Sequence, residues 1–274
     1  MKKNTAFIVE KVLLPNRLMK YRHNIIVPYQ DVDASRRLRL YSMENYLLNV
    51  AGKVADEMGI GIPVLLPMNY TWIITHVNIE MLYLPKHGEQ IVVETWIEHN
   101  AHKLSVRDFR IYQPQADGSE KLIGCAKTMW AVLNLETREI VNVFNHPMFD
   151  GAVDGEVLAM ARAPRMRPIN LDDLETTTEA IQVGEVLHKI QYSDVDYNCH
   201  CNSCKYLEWM VNAVQMDGTH PFRLDINYQK ELYQGDKMFT RFLKTTEGVQ
   251  YQQVDENGVT CCSARITEID NLSC

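Results

Sequence analysis

Two stretches of the chain place apolar residues at the three- and four-residue spacing of a helix face. These are Met43, Leu47, Val50 and Val54, and later Leu207, Met210, Val211 and Val214, and each set predicts an amphipathic helix. After the first, Ile73, Thr75, Val77, Ile79 and Met81 alternate with their neighbours, Gly88-Glu89 marks a turn, and Ile91, Val93, Thr95 and Ile97 alternate again. That two-residue period is the mark of strands with one face buried. The later part of the chain repeats the order. Ile226 and Tyr228 precede Gly235-Asp236, Met238, Thr240 and Phe242 follow, and Asn257-Gly258 is a hairpin turn between Tyr251 and Thr260.

The parallel between the two parts is also written in residues. Tyr29-Gln-Asp-Val-Asp33 returns 163 positions later as Tyr192-Ser-Asp-Val-Asp196, and Asn49 and Asn212 keep that offset. A long helix with a wide apolar face, followed by amphipathic strands, predicts an antiparallel sheet wrapped round a central helix in each copy, an α+β arrangement. The expected division is 1–150 for the first unit, 151–190 for a linker and 191–274 for the second. The linker carries Pro164, Pro168 and an acidic run from Asp172 to Glu175.

Composition narrows the class of protein. The 274 residues are 46% hydrophobic and 23% charged with a net charge of −7, which excludes disorder and makes generic nucleic-acid binding a poor fit. No apolar run approaches the roughly 20 residues of a membrane helix. Met1-Lys2-Lys3 opens like a signal peptide, but Glu10 and Lys11 interrupt the apolar stretch, so neither a secretory leader nor an organelle transit peptide is expected. Seven cysteines, three of them crowded at 199, 201 and 204, suggest reduced thiols rather than bridges and a cytoplasmic setting. Cys201 and Cys204 have ligand-like spacing without a second pair of comparable spacing, so no metal is expected.

The chemistry concentrates between Tyr192 and Met210. In extended chain, Asp196, Asn198 and His200 would project to one side, and Val195, Tyr197 and Cys199 to the other. An acid, an amide and an imidazole would then meet at a helix N-terminus, which favours an oxygen gaining negative charge. The plainer reading makes Asp196 or Asn198 a helix cap. At the same offset the first copy carries Asp33, Ser35 and Arg37. It keeps the acid and lacks the amide and imidazole, which points to one active copy and one without a site.

The pattern Asp-Val-Asp-x-Asn-x-His-x-Asn-x-x-Lys-Tyr-Leu-x-Trp from Asp194 to Trp209 resembles the acyl-acyl carrier protein (acyl-ACP) thioesterases. Met68-Asn-Tyr-Thr-Trp72 and Gly88-Glu-Gln-Ile91 with Thr95-Trp96 agree with that family's first half. The resemblance spans roughly Tyr21 to Ile269. It implies a tandem pair of hotdog domains, release of fatty acids from acyl carrier protein in fatty acid biosynthesis, and no cofactor. It places the catalytic residues on Asp196, Asn198, His200 and Glu231. Plant members often have Cys directly after the Glu; here that residue is Leu232, which argues against a Cys-His-Asn mechanism. Either Glu231, with His200, activates a water, or Asp196 is a nucleophile that forms an acyl anhydride.

The resemblance also implies an acyl pocket in the first half, for which Met43, Leu47, Met68, Trp72 and Ile74 are candidate lining; plain core is the competing reading. Arg36, Arg37 and Arg39, with Lys20 and Arg22 and the series Arg162, Arg165 and Arg167, form basic clusters suited to landing an acidic carrier protein, or simply a solvated face. No nucleic-acid or membrane partner is expected, and the chain should be a monomer or weak homodimer. Alternatives are an acyl-CoA thioesterase of the same fold, a non-catalytic acyl-binding or regulatory hotdog protein, and a dehydratase on the shared fold.

Overall fold

A computed structural model describes residues 9–13, 19–143, 146–149, 152–161, 166, 168–169, 182–216 and 218–274. Arg162, Arg165 and Arg167, Pro164 and the acidic run at 172–175 lie outside the described residues. The first half contains β1 (Val9–Leu13), β2 (Met19–Ile26), α1 (Leu40–Glu57), α2 (Ile62–Leu65), β3 (Tyr70–Met81), β4 (Gln90–Ala101), β5 (Leu104–Pro114) and β6 (Glu120–Asn134). The second contains β7 (Gln182–Lys189), α3 (Ser203–Ala213), β8 (Phe222–Tyr228), β9 (Lys237–Thr245), β10 (Gly248–Asp255) and β11 (Thr260–Glu268).

The described strands form one antiparallel sheet of 11 strands, ordered β1-β2-β4-β5-β6-β3-β8-β11-β10-β9-β7. The halves meet at its middle, where β3 pairs with β8 from His76 opposite Asn227 to Met81 opposite Phe222. On one face of this seam Asn78 Nδ2 and Arg223 Nε donate to Asp225 Oδ1 at 2.7 and 2.9 Å, and Arg223 Nη1 donates to Glu80 Oε1 at 2.9 Å. On the other, Val77, Ile79, Met81, Leu224 and Ile226 join Met43, Leu47 and Val50 of α1 and Leu207 and Met210 of α3 in one apolar core. The two helices therefore share a core across the seam, and burying each of these large side chains contributes about 1.5–3 kcal/mol.

Strands precede each helix, an order the apolar pattern alone did not show. β7 lies inside the stretch expected to be a connection and pairs with β9 along its whole length. Its residues are exposed or half-buried throughout, so no two-residue apolar period reveals it. The described part of the connection also packs on the sheet: Trp96 Nε1 donates to the Glu156 carbonyl at 2.8 Å, and Leu158 is buried beside Trp96. In β3 the register shifts between Ile74 and His76. This bulge at Thr75 breaks the expected alternation, placing Trp72 and Ile74, not Ile73 and Thr75, in phase with Val77.

The expectation of reduced thiols is corrected at one place. Cys125 and Cys274 form a disulfide across 149 residues, fixing the C-terminal residue against β6. Both lie among apolar neighbours on the sheet face away from the helices, so proximity in the fold, invisible in sequence spacing, makes the bond. The other five cysteines are unbonded.

Candidate active site

The segment before α3 is a tight loop, not an extended strand. A 3-10 turn at Tyr192–Asp194 is followed by a bridge between Val195 and Cys201 that encloses a turn. Asp196 N donates to the His200 carbonyl at 2.9 Å, Cys199 N to the Asp196 carbonyl at 3.0 Å, and Asn198 N to Asp196 Oδ1 at 2.8 Å. Cys199 sits at φ 62°. The two-residue alternation proposed for Asp196, Asn198 and His200 thus does not apply; the three belong to one turn, tied through its backbone and the Asp196 carboxylate. Neither Asp196 nor Asn198 caps the helix. Asn202 does, its side chain accepting from Cys204 N at 2.9 Å, because the turn uses Asp196 and delays the helix start.

The first half builds the same loop residue for residue. Val32 bridges Leu38, Asp33 N donates to the Arg37 carbonyl at 2.8 Å, and Arg36 N donates to the Asp33 carbonyl at 3.0 Å. Asp33 Oδ1 accepts from Ser35 N and Arg37 N at 2.8 and 3.0 Å, and Arg36 has φ 65°. The acid is present in both copies because it folds the turn. The equivalence continues into the next segment. Leu38 N donates to the Pro85 carbonyl as Cys201 N donates to that of Leu232, and Gly88 N to that of Val27 as Gly235 N to that of Ile190. Lys86 N meets the Glu89 carboxylate as Tyr233 N meets that of Asp236. By this register Leu84 is the counterpart of Glu231.

In the second half this geometry makes a constellation that the first half lacks. His200 Nε2 lies 3.5 Å from Glu231 Oε2, and the Tyr233 ring stands edge-on to the imidazole at 5.0 Å between centroids. The same Glu231 oxygen accepts from Arg138 Nη2 at 2.5 Å. Arg138 comes from the turn after β6 and was not foreseen, since nothing in sequence spacing ties residues 93 positions apart. At the matching place in the first half, Arg37 Nη1 donates to the Leu84 carbonyl at 3.2 Å. No imidazole and no carboxylate meet there.

The two buried cysteines beside the site, Cys201 and Cys204, are not poised as nucleophiles. Burial pushes the Cys201 and Cys204 thiols well above the usual thiol range, which holds them protonated. Leu232, the residue after Glu231, is fully buried.

Sequence-predicted lining residues do not gather into one surface. Met43 and Leu47 are fully buried in the shared core, and Ile74 packs against it. Trp72 belongs to a second cluster with Ile60, Leu65, Ile97, Val132 and Phe149, its indole nitrogen donating to the Ile60 carbonyl at 2.7 Å. Met68 is 44% exposed. A cleft of about 250 Å³ opens between the first turns of the two helices, lined by Ser42 and Asn45 on one side and Cys204 and Lys205 on the other. None of Asp196, Asn198, His200 or Glu231 lines it. Of the basic residues, Arg37 and Arg39 donate to the backbone carbonyls of Leu84 and Gln30, whereas Arg36 is exposed.

Comparison with known proteins places the chain in a family. The profile of the acyl-ACP thioesterase N-terminal domain matches residues 18–148, and that of the C-terminal domain of the same family matches residues 178–268. The chain belongs to the acyl-ACP thioesterase family. An acyl-ACP thioesterase structure from Bacteroides thetaiotaomicron is similar with a TM-score of 0.75 at 25% identity, covering 90% of this chain and 97% of that one. The 12:0-ACP thioesterase from Umbellularia californica shares the fold, with a TM-score of 0.75 at 17% identity over 93% of this chain and 98% of that one. The architecture is thus the double hotdog of the acyl-ACP thioesterases. In sequence, the oleoyl-acyl carrier protein thioesterase of Coriandrum sativum is 20% identical over 251 residues, which cover 85% of this chain and 66% of the relative. An Arabidopsis thaliana oleoyl-acyl carrier protein thioesterase matches at 22% identity over 79% of this chain and 60% of its own length. This acyl-ACP thioesterase family member therefore spans about two thirds or less of the length of these curated relatives. Among its described residues no helix is long and apolar enough to cross a membrane.

Proposed function

We propose that this chain hydrolyses the thioester of fatty acyl-ACP to free fatty acid and carrier protein, with the site in its second half. The observation that carries the reading is the pairing of His200 with Glu231 at 3.5 Å in a loop whose duplicate carries Arg37 and Leu84 instead. Water needs a base, and an imidazole and a carboxylate in contact provide one. Glu231 with His200 takes the proton, the oxygen attacks the carbonyl carbon, and the tetrahedral intermediate expels thiolate. With a thiol pKa near about 8.5, that leaving group needs little acid help. The Asn198 amide, in the same turn, is the donor assigned to the carbonyl oxygen. Cys204 N is already engaged by Asn202 and is not available for that task.

Asp196 is assigned to positioning. Its Oδ1 accepts from Asn198 N, as Asp33 Oδ1 does from Ser35 N, a turn-building role that accounts for the acid in both copies. The acyl chain is assigned to the apolar cluster around Trp72, because Leu135 N donates to the Asn69 carbonyl and so ties the start of β3 to the turn that carries Arg138. Arg36, exposed on the opposite loop, is the residue of the basic trio free to meet an acidic carrier protein.

The test is thiol release from a panel of acyl-ACP and acyl-CoA thioesters by the wild type and His200→Ala. Hydrolysis that prefers carrier protein and collapses in the variant is expected. Preference for coenzyme A would reassign the substrate. Acyl ligands bound with no hydrolysis at any chain length would make this an acyl-binding protein.

A further inference from the structure

Arg138 is held in place by more than its ion pair. The turn that carries it is built by Asn134, whose Oδ1 accepts from Glu136 N and Thr137 N, both at 2.9 Å, while Arg138 N donates to the Asn134 carbonyl at 2.9 Å. Arg138 takes φ 59° at the tip, a left-handed conformation that a long side chain adopts rarely and at some cost. From there its guanidinium crosses from the first half to the second and ends on the one Glu231 oxygen that also faces His200. A carboxylate on a loop has several rotamers, and a charge-assisted hydrogen bond from a fixed donor selects one.

We propose that Arg138 is a positioning residue of the active site: supplied by the half that has no site of its own, it fixes the Glu231 carboxylate against the His200 imidazole. The proposal rests on the hydrolase reading above and adds to it a role for the first half beyond holding the acyl chain. It also explains why the asymmetry is stable. Leu84, the counterpart of Glu231, offers no carboxylate for a guanidinium to hold. A purely structural ion pair is the competing account. Arg138 keeps half of its side chain exposed (50%), and exposed pairs contribute only about 0–1 kcal/mol to stability, so the pair adds little to folding and its effect should be read in turnover.

The experiment compares wild type, Arg138→Met and Arg138→Lys in acyl-ACP hydrolysis, with Arg138→Ala assayed with and without millimolar methylguanidinium. The expected result is a kcat lower by about 10- to 100-fold in Arg138→Met, the range for losing a hydrogen bond to a charged group. KM and the thermal midpoint should stay near wild type, Lys should recover part of kcat, and methylguanidinium should restore part of the activity of Arg138→Ala. An unchanged kcat in Arg138→Met overturns the proposal. So does a rise in KM for the carrier-protein substrate alone with kcat intact, which would make Arg138 a docking cation. A fall in kcat accompanied by a large fall in thermal midpoint, without rescue by Lys or methylguanidinium, overturns it in favour of the structural account. If the wild type itself hydrolyses nothing, the hydrolase reading fails first and this one with it; the wild-type control separates the two failures.

Discussion

Arg37 and His200 stand at the same step of the duplicated loop, one donating to the Leu84 carbonyl at 3.2 Å and the other facing the Glu231 carboxylate at 3.5 Å. One is anchored to backbone and the other faces an acid, so the two should respond oppositely to substitution. His200→Ala and Glu231→Gln are each expected to lower turnover by about 10²- to 10⁴-fold, the range for general acid–base groups. Arg37→Met should leave turnover within about twofold and cost roughly 1 kcal/mol of stability. Steady-state kinetics beside urea unfolding of all three variants checks the contrast.

Asp33 and Asp196 give a second paired test. Each folds its loop through hydrogen bonds to following amides, and removing such a side-chain acceptor costs about 0.5–2 kcal/mol. Asp33→Ala should therefore destabilise the fold with turnover kept, whereas Asp196→Ala should lose both. Oxygen-isotope labelling of Asp196 in a single turnover in water enriched in heavy oxygen should find none, since its carboxylate is a turn acceptor. Incorporation there would restore the nucleophile mechanism.

Glu44 sets a pH dependence of stability. It lies fully buried on α1, and burial pushes its carboxyl up from the ordinary 4.5 to about 7. Tyr228 has a single hydroxyl hydrogen and two acceptor neighbours, Glu44 Oε1 at 2.5 Å and the Ser203 carbonyl at 3.2 Å. A protonated Glu44 donates to the Tyr228 oxygen and leaves that hydrogen for Ser203. Below pH 4.5 the folded and unfolded states both hold the proton. Between 4.5 and about 7 only the folded state does, so stability falls as pH rises through that window, by roughly 3 kcal/mol in all. Glu44→Gln should remove this slope, so that the variant is more stable than wild type at pH 8.5 and not at pH 4.5 in urea unfolding.

The Cys125–Cys274 bond gives a direct count. Of seven cysteines five are unbonded, so the denatured, unreduced protein should titrate five thiols and the reduced protein seven. Reduction, or Cys274→Ser, should cost about 2–4 kcal/mol of stability, the usual range for a bridge. Seven thiols without reductant would show that the bridge does not form.

What could be read in the chain follows from distance along it. Asp194 to Trp209 is contiguous, so its chemistry was visible as a motif, and Met43, Leu47, Leu207 and Met210 are buried as their helix spacing required. Glu231 was placed by resemblance alone, and no spacing rule would have found it. Arg138 escaped because its partner is on the other half. β7 escaped because an edge strand exposed on both faces carries no apolar period, and the phase of β3 because a single extra residue at Thr75 inverts the faces that follow. The turn at 196–200 was not legible, because alternation of residue types in six residues does not distinguish a strand from a turn that holds a left-handed residue. The bridge at Cys274 was missed for the same reason as Arg138, since odd counts and spacings say nothing about which thiols the fold brings together.

The β3–β8 seam has a genetic consequence. In a symmetric pair of identical subunits every substitution is made twice, so a change that improved one site for holding a ligand would damage its twin. Joining the two copies in one polypeptide, with Asn78 and Asp225 meeting across the seam, frees each to mutate separately. Leu84 and Glu231 can then differ, a carboxylate standing in one half where the other keeps an apolar side chain.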